Sequence, residues 1–149
     1  LSDFRARWAT MGSVKWNNTL QEMWTAPADS TPEWSHCPVC PLYLLYMDIA
    51  GIRATSPGFA TCDVRPQLGD IGDLALTAHT ARGPFVFKAV RKGKAYDVTL
   101  RVPDGCVATL ALPKGAPCAL PAAGADETLG LERYRLESGT ENRLEVPGE

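Results

Sequence analysis

Nowhere does the sequence hold a run of about eighteen apolar residues, so no segment reads as a membrane-crossing helix. Its first residues, LSDFRARW, include neither an initiator Met nor the apolar core of a signal peptide. The expectation is therefore a piece of a longer protein. One-sided charge is lacking too: 15 Lys and Arg stand against 17 Asp and Glu, for a net charge of −2. The only basic cluster is the short, turn-like group Arg91, Lys92 and Lys94, so neither nucleic acid nor an anionic membrane surface is an expected partner. Histidine is scarce, with only His36 and His79, and neither a Ser-His-Asp arrangement nor a phosphate-cradling glycine loop can be assembled.

Cysteine is present but out of context. Cys37 and Cys40 stand in CPVC, a CxxC spacing, yet no strand precedes it as a thioredoxin-like site requires, and no second ligand pair follows as a zinc site requires. Cys62, Cys106 and Cys118 are dispersed singly. An odd total of five weighs against a complete disulfide framework. Structural, reduced cysteines are the favoured reading, with metal or redox work, His36 as a third ligand, as the alternative.

What is present falls into two regimes. At 149 residues the chain is long enough to bury roughly 68–70% of its unfolded surface without a disulfide or metal staple. Residues 1–51 hold all the Trp and Met, whereas the sequence from about residue 58 is rich in Val, Thr, Gly and Pro. Phe4, Trp8 and Met11 recur at helical spacing, which predicts a helix ending near Gly12. PLYLLYMDIAG predicts another, with Pro41 in its first turn and Gly51 as its stop. These helices cover too little of each other, so the helical part is expected to be the end of a larger helical domain, and the isolated chain to self-associate through residues 1–51.

The second regime predicts antiparallel sheet. YDVTLRV alternates Tyr96, Val98, Leu100 and Val102 against polar residues and follows PFVFKAV across RKGK, which makes a hairpin. The Pro103-Asp104-Gly105 turn leads into CVATLAL. ATCDVRP, DLALTAHT, ERYRLES and NRLEV bring the expected strands to about seven or eight, the pattern of a β-sandwich or jelly roll. KGAPCALPAAGADET reads as a surface loop.

Glu22 is the best chemical candidate left. It lies in TLQEMWT among Leu20, Met23 and Trp24, ahead of a loop rich in Pro, Asp and Ser. Two readings stand: a solvated glutamate at a helix fringe, and a catalytic carboxylate beside a sugar-stacking aromatic. A lone His such as His36 divides similarly between packing and ligation.

GIRATSPGFATCDVRPQLGDIGDLALTAHTARGPFVFKAVRKGKAYDVTLRVPDGCVATLALP resembles the segment with which bacterial α-L-rhamnosidases leave their catalytic helical barrel and enter a C-terminal β-sandwich. The elements that carry it are Gly51, Pro57-Gly58-Phe59, Pro66, Asp73-Leu74, Gly83, the VPDG turn and the closing ESGT. Upstream, Thr19, Leu20, Glu22 and Trp24 match the family's Thr-Leu-x-Glu-x-Trp motif, and His36 and Pro41 match the positions of a sugar-site histidine and of a proline that opens the last barrel helix. Gln21 stands where the family commonly has an aromatic, and Pro38 and Val39 where a Trp commonly follows the histidine.

The resemblance implies an (α/α) barrel end over residues 1–57 and a sandwich over 58–149. It further implies that Glu22 is the general base of an inverting glycosidase acting on terminal α-L-rhamnose, with His36, Trp24 and Trp34 as substrate-binding residues. Trp24 and Trp34 could equally be core. The expected partners are a rhamnose-containing carbohydrate and the catalytic barrel of the same polypeptide; no cofactor or metal is expected, and the compartment is left open, with a leaning to periplasmic or secreted. The general acid and most sugar-binding carboxylates would lie upstream of Leu1, which leaves the chain inactive by itself. A non-catalytic carbohydrate-binding or structural module is the alternative.

Overall fold

The structure, a computed structural model, describes residues 1–17, 20–25, 27, 30 and 39–148, with Trp16 and Asn17 as backbone only. The described chain forms two compact units, residues 1–44 and 45–149.

The first unit is helical and thin. Phe4–Trp8 is a π-helical turn with no buried residue, and an α-helix, α1, spans Gly12–Asn17. The helix expected to end near Gly12 therefore gives way to a second that begins there. The reason is that Gly12 does not adopt the positive φ of a helix-stopping glycine. A short second helix, α2, spans Cys40–Leu44 with Pro41 buried in its first turn, where a missing N–H costs nothing.

In the second unit Leu45–Ile49 forms another π-helical turn. Gly51 follows at φ +73°, its carbonyl accepting from the Arg65 backbone N–H at 3.0 Å. A Cβ at this position would collide with the Arg65 backbone, so glycine is required both for conformation and for space.

Among the described residues nine strands follow: β1 (Ile52–Ala54), β2 (Thr61–Val64), β3 (Asp73–Thr80), β4 (Gly83–Lys92), β5 (Ala95–Arg101), β6 (Val107–Pro113), β7 (Ala122–Asp126), β8 (Leu131–Leu136) and β9 (Glu141–Pro147). They make a five-stranded sheet in the order β1-β2-β6-β8-β7 and a four-stranded sheet in the order β3-β4-β5-β9. All described strand pairs are antiparallel except β2 with β6.

Alternation decides which residues face inward. Phe85, Phe87 and Ala89 of β4 and Tyr96, Val98 and Leu100 of β5 are buried, and meet Val64, Leu110, Leu112 and Tyr134 of the other sheet in one continuous cluster. That shared core makes the fold a β-sandwich. The turn before β6 is as its sequence predicts, with Gly105 at φ +70°.

Polar groups taken into this core keep partners. The Tyr96 hydroxyl lies 2.8 Å from the carbonyl oxygens of both Gly69 and Ile71 and donates to either. Buried Asn142 donates to the Glu137 and Leu100 carbonyls and accepts from the Glu137 N–H, fixing the ESGT corner.

Two departures from expectation have simple causes. β1 lies ahead of residue 58 and already belongs to the sheet, pairing Ile52 with Val64; three residues are too few to show alternation. Residues 114–128 are also not wholly loop, since they contain β7. This edge strand of Ala and Gly is exposed except at Asp126 and bulges between Ala122 and Gly124, so it shows none of the β-branched or aromatic residues that mark strands.

Candidate functional site

The loop after α1 carries Glu22, and its geometry is set by the residue before it. Gln21 is only 5% exposed. Its Nε2 donates to the carbonyls of Met23 (2.8 Å) and Trp24 (3.3 Å), and its Oε1 accepts from the Ser13 N–H (3.4 Å). One side chain thus closes the bend around Glu22 and ties it to α1. Glu22 itself is exposed and has no hydrogen bond or ion pair among the described residues.

Trp24 is 47% exposed. The Trp8 ring meets it edge-on at 4.9 Å between centroids, and the Arg7 guanidinium stacks 3.7 Å from its ring centre. One aromatic face is therefore taken by Arg7, while Trp8 packs against the ring as well. Beside it Met23 is 54% exposed, so the loop presents an apolar edge next to a free carboxylate. Buried Ser13 leaves its hydroxyl without a partner among the described residues.

Of the residues expected at a site, Glu22 and Trp24 are brought together on this loop; Thr19, Trp34 and His36 lie outside the described residues, as does Cys37. Cys40 is exposed. His79 lies exposed on β3. Among the described residues no group of three or more His, Cys, Asp or Glu side chains could hold a metal ion. Sequence reasoning missed Gln21 and Arg7, whose partners are backbone groups and a ring face that no motif displays.

Clefts also lie on the sandwich itself. One, of about 190 Å³, is lined by Arg53, Asp63, Arg65, Gln67 and Arg133 among others. Its charges are largely matched: Arg133 donates to Asp63 at 2.7 Å and lies 3.8 Å from Asp126, while Arg53 pairs with Asp48. The Asp63 hydrogen bond raises the Arg133 pKa further above its usual range. Another, of about 480 Å³, is lined by Cys106, Val107, Arg135, Leu136, Glu137 and Ser138.

Comparison with known families bears on the sandwich rather than on the loop. Residues 51–121 match the bacterial alpha-L-rhamnosidase C-terminal domain. Solved structures of alpha-L-rhamnosidases share its fold. The Streptomyces avermitilis enzyme, determined with L-rhamnose, is 21% identical over 77% of this chain and 10% of its own, with a TM-score of 0.56. That of Dictyoglumus thermophilum is 16% identical over 87% of this chain and 16% of its own (TM-score 0.57), and that of Aspergillus terreus 21% identical over 69% and 10% (TM-score 0.54). None of the curated proteins compared with the chain matches it. The chain thus spans a tenth to a sixth of the length of these rhamnosidases, the part that includes the rhamnosidase-type C-terminal domain.

Proposed function

We propose that this chain is the C-terminal part of an α-L-rhamnosidase, with a sandwich that packs on a catalytic helical barrel of the same polypeptide and Glu22 as the water-activating base. The observation that carries the reading is the rhamnosidase-type match over residues 51–121, in a chain whose upstream unit holds an exposed carboxylate, Glu22, beside an aromatic, Trp24.

An inverting glycosidase needs an acid to protonate the leaving oxygen and a carboxylate about 6.5–9.5 Å from it to activate water on the far side of the ring. Glu22, unpaired and reachable by water, has the chemistry of the second group. Gln21 supports it by holding the bend. Trp24, about half exposed, shapes the site beside it, and His36 positions sugar or water. The acid partner comes from the barrel, so the chain alone does not cleave rhamnosides. The substrate is a rhamnose-terminated glycoside or polysaccharide.

The test is Glu22→Gln in the full-length enzyme. A loss of about 10²–10⁴-fold in kcat with an unchanged circular dichroism spectrum is expected. Near-normal turnover would return Glu22 to the role of a solvated surface residue. Proton NMR of fresh hydrolysate is expected to show inversion at the anomeric carbon; retention would assign a different mechanism.

One observation favours the second reading, a non-catalytic module. Arg7 already occupies one face of Trp24, as in a structural stack. Binding of rhamnose-containing oligosaccharides by a parent that hydrolyses none of them would select it.

A further inference from the structure

Cys62 and Cys106 are each 1% exposed, and their sulfurs lie 3.5 Å apart inside the sandwich. Cys62 is on β2 opposite Ala108 of β6, and Cys106 stands two residues before Ala108, on the same inward face. We propose that these two thiols are an oxidisable pair that closes to an intradomain disulfide across the β2–β6 seam, with Cys106 as the entry thiol and Cys62 as the resolving one.

Three features support the assignment. The sulfurs are already in van der Waals contact, and a disulfide requires them to approach to about 2.05 Å. Cys106 lies outside the β6 ladder, at the exit of the Pro103–Gly105 turn, its N–H donating to Pro103 at 3.3 Å. Its backbone can shift without breaking a strand pair. Finally, Cys106 lines the cleft of about 480 Å³ that also contains Arg135 and Glu137. Cys106 is 1% exposed, so a small disulfide meets its sulfur only when the Pro103–Gly105 turn opens beside this cleft, where Arg135 supplies a cation for the carboxylates of a glutathione-type oxidant.

The two thiols differ in position: Cys106 lies beside the cleft and outside the strand ladder, whereas Cys62 lies within β2, where burial pushes its thiol up. The chemistry is thiol–disulfide exchange. The Cys106 thiolate attacks one sulfur of the oxidant, breaking its S–S bond and releasing one thiol. The Cys62 sulfur then attacks the Cys106 sulfur of the mixed disulfide, forming the protein bond and releasing the second thiol. Two protein thiols are oxidised, one low-molecular-weight disulfide is reduced, and the two protons pass through water to the leaving thiolates. The product would staple the β1–β2 hairpin to the rest of its sheet in an oxidising compartment and leave it free in a reducing one.

The experiment uses the full chain, equilibrated with glutathione redox buffers of graded potential, both folded and during refolding, then alkylated in denaturant and mapped by mass spectrometry. A Cys62–Cys106 linked peptide in either arm, with sheet circular dichroism retained and a melting temperature raised on the order of 10 °C over the reduced chain, is expected. Cys62→Ala is expected to trap a glutathione adduct on Cys106, whereas Cys106→Ala leaves Cys62 unmodified. Full alkylation of Cys62 and Cys106 across the whole series in both arms, or a link confined to Cys37–Cys40, would overturn the pair. An adduct absent from Cys106 in folded Cys62→Ala would overturn the order of attack. None of these readouts depends on glycosidase activity.

Discussion

Residues 1–44 and residues 45–149 solve opposite problems. The second unit buries a continuous core of Phe, Tyr, Val and Leu shared by two sheets. The first buries only Met11, Ser13, Gln21 and Pro41 among its described residues and leaves Trp24, Met23, Leu42 and Tyr43 about half exposed or more. Among the described residues of the first unit little burial stands against the backbone entropy of ordering, roughly 1–2 kcal/mol per residue. The candidate chemistry therefore lies on the unit with little described interior, and the match to a known domain lies mainly on the unit with a continuous core.

The largest expected effect comes from separating the two. A chain of residues 45–149 is expected to melt cooperatively as a monomer, whereas residues 1–44 alone have no cooperative transition and the whole chain self-associates and binds a hydrophobic dye. Calorimetry and light scattering decide it; a clean, dye-silent monomer of 1–149 would remove the contrast.

Glycine substitutions sharpen the same comparison at single residues. Gly51→Ala is expected to destabilise the sandwich by about 1–3 kcal/mol from the left-handed backbone alone, with the collision against Arg65 adding to it. Gly12→Ala meets nothing within 4 Å, and its expected effect on chemical denaturation is within about 0.5 kcal/mol. Equal midpoints for the two variants would contradict the asymmetry.

The smallest effect is a pH dependence confined to the sandwich. The Tyr134 hydroxyl donates to Glu132 at 2.7 Å, and that bond, then burial, pushes the Tyr134 pKa up to about 12. Below pH about 10 the phenol is protonated in folded and unfolded chains alike, so its contribution is fully present. Between about 10 and 12 the unfolded chain loses the proton first, and stability falls as the pH rises. Urea melts across that window should show a shallower fall for Tyr134→Phe. An identical slope would mean that the bond does not survive in solution.

How much of this was legible in the sequence differs between the two units for physical reasons. The hairpin of β4 and β5 was readable because Phe85, Phe87, Val98 and Leu100 alternate strictly, and so was the turn at Gly105. β7 was not, because Ala and Gly at an exposed edge carry no packing signal. In the helical unit, spacing placed Phe4, Trp8 and Met11 on one face, but Phe4 and Trp8 are not buried and Trp8 packs instead on Trp24. Glu22 was singled out from its neighbours and from a family motif. The residue that shapes its loop, Gln21, was invisible because a side-chain amide satisfied by backbone groups leaves no periodic trace.

The parallel seam of β2 with β6 also governs how the domain can assemble. Thr61–Val64 must wait for Val107–Leu110, and the whole β3–β4–β5 meander is synthesised between them. The meander can zip locally, hairpin by hairpin, whereas the seam closes a long loop before any contact rewards it. Folding is thus expected to run from the four-stranded sheet outward, with β1 and β2 last to dock. On the ribosome, this gives the order of synthesis and the order of folding opposite senses at the domain's leading edge, and the β1–β2 hairpin must stay undocked until β6 has emerged.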